Sequence, residues 1–164
     1  MITPVSIAMK HLGLNSGTVF LKYIGLKPGL AYCLAFSLWC WHQAQPSVRL
    51  PRLGRVNAFY SLARVDSAHY AVLSPSDVQW GITVPVEGDF VLFNHDSPGV
   101  TNWSGHAGLY VAKVDATHFD TVEGNTSCPA RVPKDERNGG CIARKTRRLG
   151  MTGFEVVAII HPRG

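Results

Sequence analysis

The chain has 164 residues, of which 46% are hydrophobic and 16% charged, and a formal net charge of +5. That length fits one domain with its own core, and that balance excludes a disordered chain. The densest apolar stretch, Tyr32 to Trp41, falls well short of the roughly 20 residues that span a bilayer.

The first residues, from Met1 to His11, show no basic start followed by an apolar run and a small-residue cleavage site. A secretory signal is therefore not expected, and synthesis in the cytoplasm is. Pro4 to His11 predicts a short helix, with Thr3 as N-cap and Pro4 at the first helical position. Ser16 to Ile24 predicts a second helix, capped by Ser16, and Gly25 to Gly29 breaks it. A third helix is expected from about Tyr32 to Gln45, ending before Pro46. It is apolar on nearly every side from Leu34 to Trp41, so it should be the buried central helix. Pro51 to Gly54 reads as a turn and Arg55 to Arg64 as another short helix.

From Gly88 the pattern changes. Phe90 to Phe93 predicts a short buried strand. His106 to Val114 and His118 to Asn125 predict two strands joined by a tight turn at Asp115-Ala116. Cys141 to Arg148 and Phe154 to Ile160 predict two more. Helices first, then consecutive strands with short links, imply an α+β fold with an antiparallel sheet. No internal repeat or interdomain linker divides the chain, so residues 1–164 are expected to form one domain.

The four cysteines, at 33, 40, 128 and 141, include no Cys-x-x-Cys pair, so no structural metal site is expected. Cys128 and Cys141 flank a loop, and a disulfide and two free thiols both stay open. The run Arg144-Lys145-Thr146-Arg147-Arg148 has two readings, a surface for an anionic polymer or a solvated strand face.

Cys33 stands in the first turn of the central helix, just after Pro28-Gly29. Unpaired N–H groups and partial positive charge at a helix start lower a thiol pKa. Its own N–H could also help hold an oxyanion. Cys40 lies two turns deeper, where cysteine acts as a small apolar filler. A nucleophilic thiolate needs a base, and that base needs an orienting partner. Of the seven histidines His106 suits best: it opens a strand after Ser104-Gly105, and small residues follow it. With a two-residue turn at Asp115-Ala116, paired positions sum to 231. His106 then faces Asn125, and Glu123 lies two residues away on the same face. Either can orient the imidazole. His11, His42, His69, His95, His118 and His161 read as structural or surface groups.

These stretches resemble one family. Pro28-Gly-Leu-Ala-Tyr-Cys33-Leu-Ala-Phe-Ser-Leu-Trp-Cys40 resembles the nucleophile helix of the cysteine, histidine-dependent amidohydrolase/peptidase (CHAP) domains. Leu50-Pro51-Arg52-Leu-Gly54-Arg-Val is similar to the loop and helix that follow in phage endolysins of this type. Glu87-Gly88-Asp89-Phe-Val-Leu-Phe93 resembles their Gly-Asp strand element, and Ser104-Gly105-His106-Ala-Gly-Leu-Tyr110 their histidine strand. Thr121-Val-Glu123-Gly-Asn125-Thr-Ser127 is similar to their Glu-Gly-Asn segment. Gly139-Gly140-Cys141-Ile-Ala-Arg144-Lys-Thr-Arg147 resembles the strand after it. The resemblance spans about residues 17 to 160, with all six elements in order.

The resemblance implies a papain-like α+β fold, with Cys33 as nucleophile, His106 as base and Glu123 with Asn125 as orienting residues. It implies a hydrolase acting on peptidoglycan, at a stem or crossbridge peptide or at the N-acetylmuramoyl-L-alanine amide, with no metal or cofactor. Tyr32 and Trp103 flank the motifs and are expected to line the substrate cleft. Lys27 stands six positions before Cys33, so a glutamine oxyanion donor of the papain kind is not assigned. The expected setting is a phage-type lysin or an interbacterial toxin with an immunity protein and a secretion apparatus. Its action is expected in the periplasm or cell wall, its own or a target cell's, with no nucleic-acid and no membrane partner. A silent wall-binding module is the alternative that the same motifs allow, and a nucleic-acid binder resting on residues 144–148 is a third reading.

Overall fold

The structure is a computed structural model that describes residues 1–96, 103, 105–128, 140–150 and 154–164. Four helices come first: α1 (Pro4–Met9), α2 (Thr18–Tyr23), α3 (Cys33–Ala44) and α4 (Val56–Val65). Strand β1 (Tyr70–Leu73) and helix α5 (Pro75–Gln79) follow. Then come β2 (Phe90–Asn94), β3 (Gly105–Lys113), β4 (His118–Thr126), β5 (Cys141–Arg148) and β6 (Glu155–Pro162). The six strands form one sheet in the order β1-β6-β2-β3-β4-β5, with every neighbouring pair antiparallel. The α+β expectation is met.

Helix α3 is central because it has no polar stripe to turn to solvent. Leu34, Ala35, Phe36, Ser37, Leu38, Cys40 and Trp41 are all buried along it. Its close approach to the sheet needs a missing side chain at Gly124, where a Cβ would lie 2.9 Å from that of Phe36. The larger core fills the space between the helices and the sheet, around Phe36, Phe59, Phe90, Leu92, Leu109, Val122 and Ile160. Alternation along the strands sends Val91, Phe93, Tyr110, Phe154 and Val156 into a smaller cluster on the other face.

Thr3 caps α1 as expected: its Oγ1 accepts from the Ser6 N–H, and Ser6 returns the bond to the Thr3 N–H. Two expected helix starts move. Gly17, not Ser16, precedes α2 and gives it no side-chain cap, because it sits directly against the Tyr32 ring. The central helix begins at Cys33, with Tyr32 as its N-cap.

The β3–β4 hairpin corrects the turn expected at Asp115-Ala116. Three residues, Asp115 to Thr117, lie between Val114 and His118, and the Val114 N–H donates to the His118 carbonyl. The carboxylate of Asp115 accepts from the N–H groups of Thr117 and His118, which builds the longer loop. Near the turn the pairs sum to 232, as in Lys113 with Phe119. Val111 is then an extra residue in β3, and beyond it the sum is 231, as in Gly108 with Glu123. The longer turn and the bulge cancel, so the expected sum of 231 holds from Tyr110–Thr121 to Gly108–Glu123.

Candidate active site

Cys33, His106 and Glu123 come together, and Arg147 joins them. Alternation puts His106 of β3, Glu123 of β4 and Arg147 of β5 on the face that carries Phe93 and Phe154. Cys33 enters from the N-terminus of α3. All four are buried, at 5%, 1%, 0% and 6% exposure in the order Cys33, His106, Glu123, Arg147.

Glu123 is the hub. Its Oε2 accepts from His106 Nε2 at 2.9 Å and from the Arg147 guanidinium. Its Oε1 accepts from Arg147 Nε at 2.7 Å and from the Thr121 hydroxyl at 2.5 Å. Four donors thus meet two carboxylate oxygens, two on each. Burial alone would raise its pKa, but the Arg147 and His106 bonds and charges outweigh that and hold the carboxyl well below its usual range. An ionised carboxylate can only accept, so His106 Nε2 carries a proton and its other ring nitrogen is left for the thiol.

Cys33 hydrogen-bonds His106 and also receives the N–H groups of Ala107 and Leu34. Burial pushes the thiol up; the His106 hydrogen bond and charge, with the two N–H donors, outweigh it and bring the pKa down. For His106, burial acts to lower the pKa, while Glu123 and Cys33 raise it to about 9. Both shifts run toward the thiolate–imidazolium form of the pair. The other free thiol, Cys40, is pushed up by burial with nothing to oppose it.

The open choice between Glu123 and Asn125 resolves at the ring, because the carboxylate takes Nε2. Asn125 has φ 55°, a left-handed conformation that asparagine tolerates, where β4 shifts register against β5. Its backbone N–H reaches the Tyr32 hydroxyl. Tyr32, expected in the cleft, is 4% exposed, stacks on Phe20 and donates its hydroxyl to the Gly140 carbonyl at 2.9 Å. It ties the start of α3 to β4 and β5 instead. Trp103 does line the cleft, with Cys33, Arg55, Val56 and Asn57, in an open space of about 680 Å³.

The space expected around the imidazole has a different occupant. A Cβ on Gly108 would lie 2.7 Å from Glu123 Cγ, so that glycine makes room for the carboxylate arm. Two of the histidines read as structural or surface groups hold carboxylates: His69 bonds Asp66 at 2.8 Å, and His161 bonds the buried Asp89 at 2.6 Å. His95 is buried, with its ring 5.9 Å from that of His106.

Arg147 is the site residue that the sequence reading missed. Its guanidinium lies 4.2 Å over the Phe154 ring and 5.6 Å over that of Phe93. The basic run is not one surface. Arg144 pairs with Asp120 at 2.7 Å, Lys145 donates to the Ser127 hydroxyl at 2.6 Å, and Arg147 is buried. Cys128 and Cys141 form a disulfide, the first of the two states left open. Ser104, Gly139 and the charged loop at 131–138 lie outside the described residues.

Fold and site together define an α+β protein with a buried cysteine–histidine–carboxylate line at the start of its central helix. No family model matches the chain, and no curated protein matches it either.

Proposed function

We propose that the chain is a cysteine-nucleophile amidohydrolase of papain-like, CHAP-type architecture that cuts an amide bond in peptidoglycan. The observation that carries this reading is the ordered line Cys33–His106–Glu123, with the thiol held low and the imidazole high. Such a line is the arrangement acyl transfer needs, because the thiol is biased toward its nucleophilic form and its proton toward the group that must give it away. The substrate class rests on the motif resemblance.

The Cys33 thiolate attacks the amide carbonyl, and a tetrahedral oxyanion forms. His106 gives its proton to the leaving nitrogen, the C–N bond breaks, and an amine departs from a Cys33 thioester. His106, now neutral and still held by Glu123, takes a proton from water, which attacks the thioester. The acid leaves and the thiolate–imidazolium pair returns. The balance is one amide and one water in, one carboxylic acid and one amine out.

The Cys128–Cys141 disulfide supports work outside a reducing compartment, as a wall hydrolase requires. The test is digestion of purified peptidoglycan by the wild-type chain and by Cys33→Ala, read by new amine ends and by mass spectrometry of the fragments. The wild type should release amines at one bond type and the variant none. Equal digestion by Cys33→Ala sinks the proposal.

A further inference from the structure

We infer that Arg55 gives the cleft over Cys33 a subsite for a carboxylate on the substrate, beside the amide that is cut. The inference rests on the amidohydrolase reading and names the charge of its substrate.

Cys33, Arg55, Asn57 and Trp103 line one cleft, and among the described residues no aspartate or glutamate lines it. Arg55 is solvent-exposed, and no described carboxylate lies within ion-pair distance of it. Other arginines are engaged within the protein. Arg52 lies over Tyr23, Arg64 over Tyr60, Arg144 bonds Asp120, Arg147 bonds Glu123, and Arg163 donates to the Ser67 carbonyl.

The backbone that carries Arg55 is fixed while its side chain is not. Its carbonyl accepts from the Phe59 N–H at 3.1 Å, and the next residue, Val56, is buried. Before it, Gly54 is pressed against the Leu26 side chain so closely that a Cβ would sit 2.5 Å from its Cδ1. Across the cleft, Gly105 has no room for a side chain between Trp103 and Val56.

A guanidinium presents a planar pair of donors that matches a carboxylate, and it carries its charge at every working pH. With no acid among the described residues of the cleft to compensate it, this charge favours anionic over neutral acyl donors. The substrate class is a peptide with a free carboxylate near the scissile amide.

Two alkylating probes of nearly equal size separate this inference from the reading beneath it. Iodoacetate and iodoacetamide both take the Cys33 sulfur at their methylene carbon and expel iodide, but only the first is anionic. The measurement is the second-order rate of each with the folded, disulfide-intact chain at low ionic strength, with Cys33→Ala as blank. Arg55→Gln should slow iodoacetate about fivefold, the scale of one exposed charge pair, and leave iodoacetamide within about twofold. Arg55→Lys should restore most of the iodoacetate rate. Paired peptide substrates ending in carboxylate or carboxamide should show the same contrast in kcat/KM. If Arg55→Gln slows both reagents alike, or neither, there is no carboxylate subsite. A wild-type Cys33 that reacts with iodoacetamide no faster than an ordinary thiol overturns the nucleophile assignment itself.

Discussion

Replacing Arg147 by Met removes a buried cation and keeps much of the apolar stem that lies against Phe154. Arg147 supplies two of the four hydrogen bonds on Glu123. A hydrogen bond to a charged group is worth about 1.5–3 kcal/mol, and removing one partner of a buried ion pair costs about 3–5 kcal/mol. His106 remains as a counter-charge, so the lower end applies, about 3 kcal/mol. For a chain of this size that is a fall in Tm of roughly 6–12 °C. A second effect follows from charge balance. With Cys33 ionised and His106 protonated, Cys33, His106, Glu123 and Arg147 alternate in sign and sum to zero. Without Arg147 a net negative charge stays in the interior, and the cheapest relief is a proton on the thiolate. The thiol titration should therefore move up by about one pH unit, about 1.4 kcal/mol. Thermal melting and the pH dependence of iodoacetamide alkylation of Cys33 read the two effects separately. Arg147→Met/Glu123→Gln should recover part of the lost stability, because it removes the stranded charge. A single variant that melts within about 1 °C of wild type, with an unmoved alkylation profile, refutes a neutral four-charge cluster.

Gly108→Ala puts a Cβ 2.7 Å from Glu123 Cγ; it should cost about 1–3 kcal/mol and slow hydrolysis at least tenfold, seen by melting and amine release. Hydrolysis should follow a bell-shaped pH profile, rising through the lowered Cys33 pKa and falling as His106 loses its proton near pH 9; a single-sided profile up to pH 10 contradicts the ion pair. Stability has its own window. The raised His106 pKa stabilises the fold fully below about 6.5 and ceases to as pH rises through about 9, while the lowered Glu123 pKa stabilises above about 4.3 and fades as pH falls further; urea midpoints across pH should be highest between those limits. Reducing the Cys128–Cys141 disulfide, whose cysteines are separated by 13 in sequence, should cost about 3 kcal/mol in urea denaturation.

Much of the fold was legible because it is local. Pro4 after Thr3, the unbroken apolar helix from Leu34 to Trp41 and the alternation of β3 and β4 are short-range patterns. What was missed is long-range. Strand β1 has four residues and owes its place to β6, where Tyr70 pairs with Pro162. Helix α5 did carry a signal, since Ser74 caps it and Pro75 opens it, but its five residues give periodicity no room to show. The hairpin register was reached through two compensating departures, a longer turn and a bulge at Val111. Neither has a composition that marks it, because β-bulges accept ordinary residues.

Arg147 shows why a charge run misleads. Five consecutive basic or polar residues look like one solvated surface, yet a strand has two faces and a period of two. Arg144, Thr146 and Arg148 are exposed, whereas Arg147 is buried and Lys145 only partly exposed. On that second face a buried carboxylate already serves an imidazolium, and one cation cannot neutralise both Glu123 and a thiolate. The site needs a second positive charge that cannot titrate, and arginine is the side chain that meets that condition. Its guanidinium also lies over the Phe154 ring, so it can stay out of water without losing all its partners. A buried carboxylate beside a Cys–His pair thus calls for a buried cation in phase with it, and the strand after Glu123 is where Arg147 supplies one.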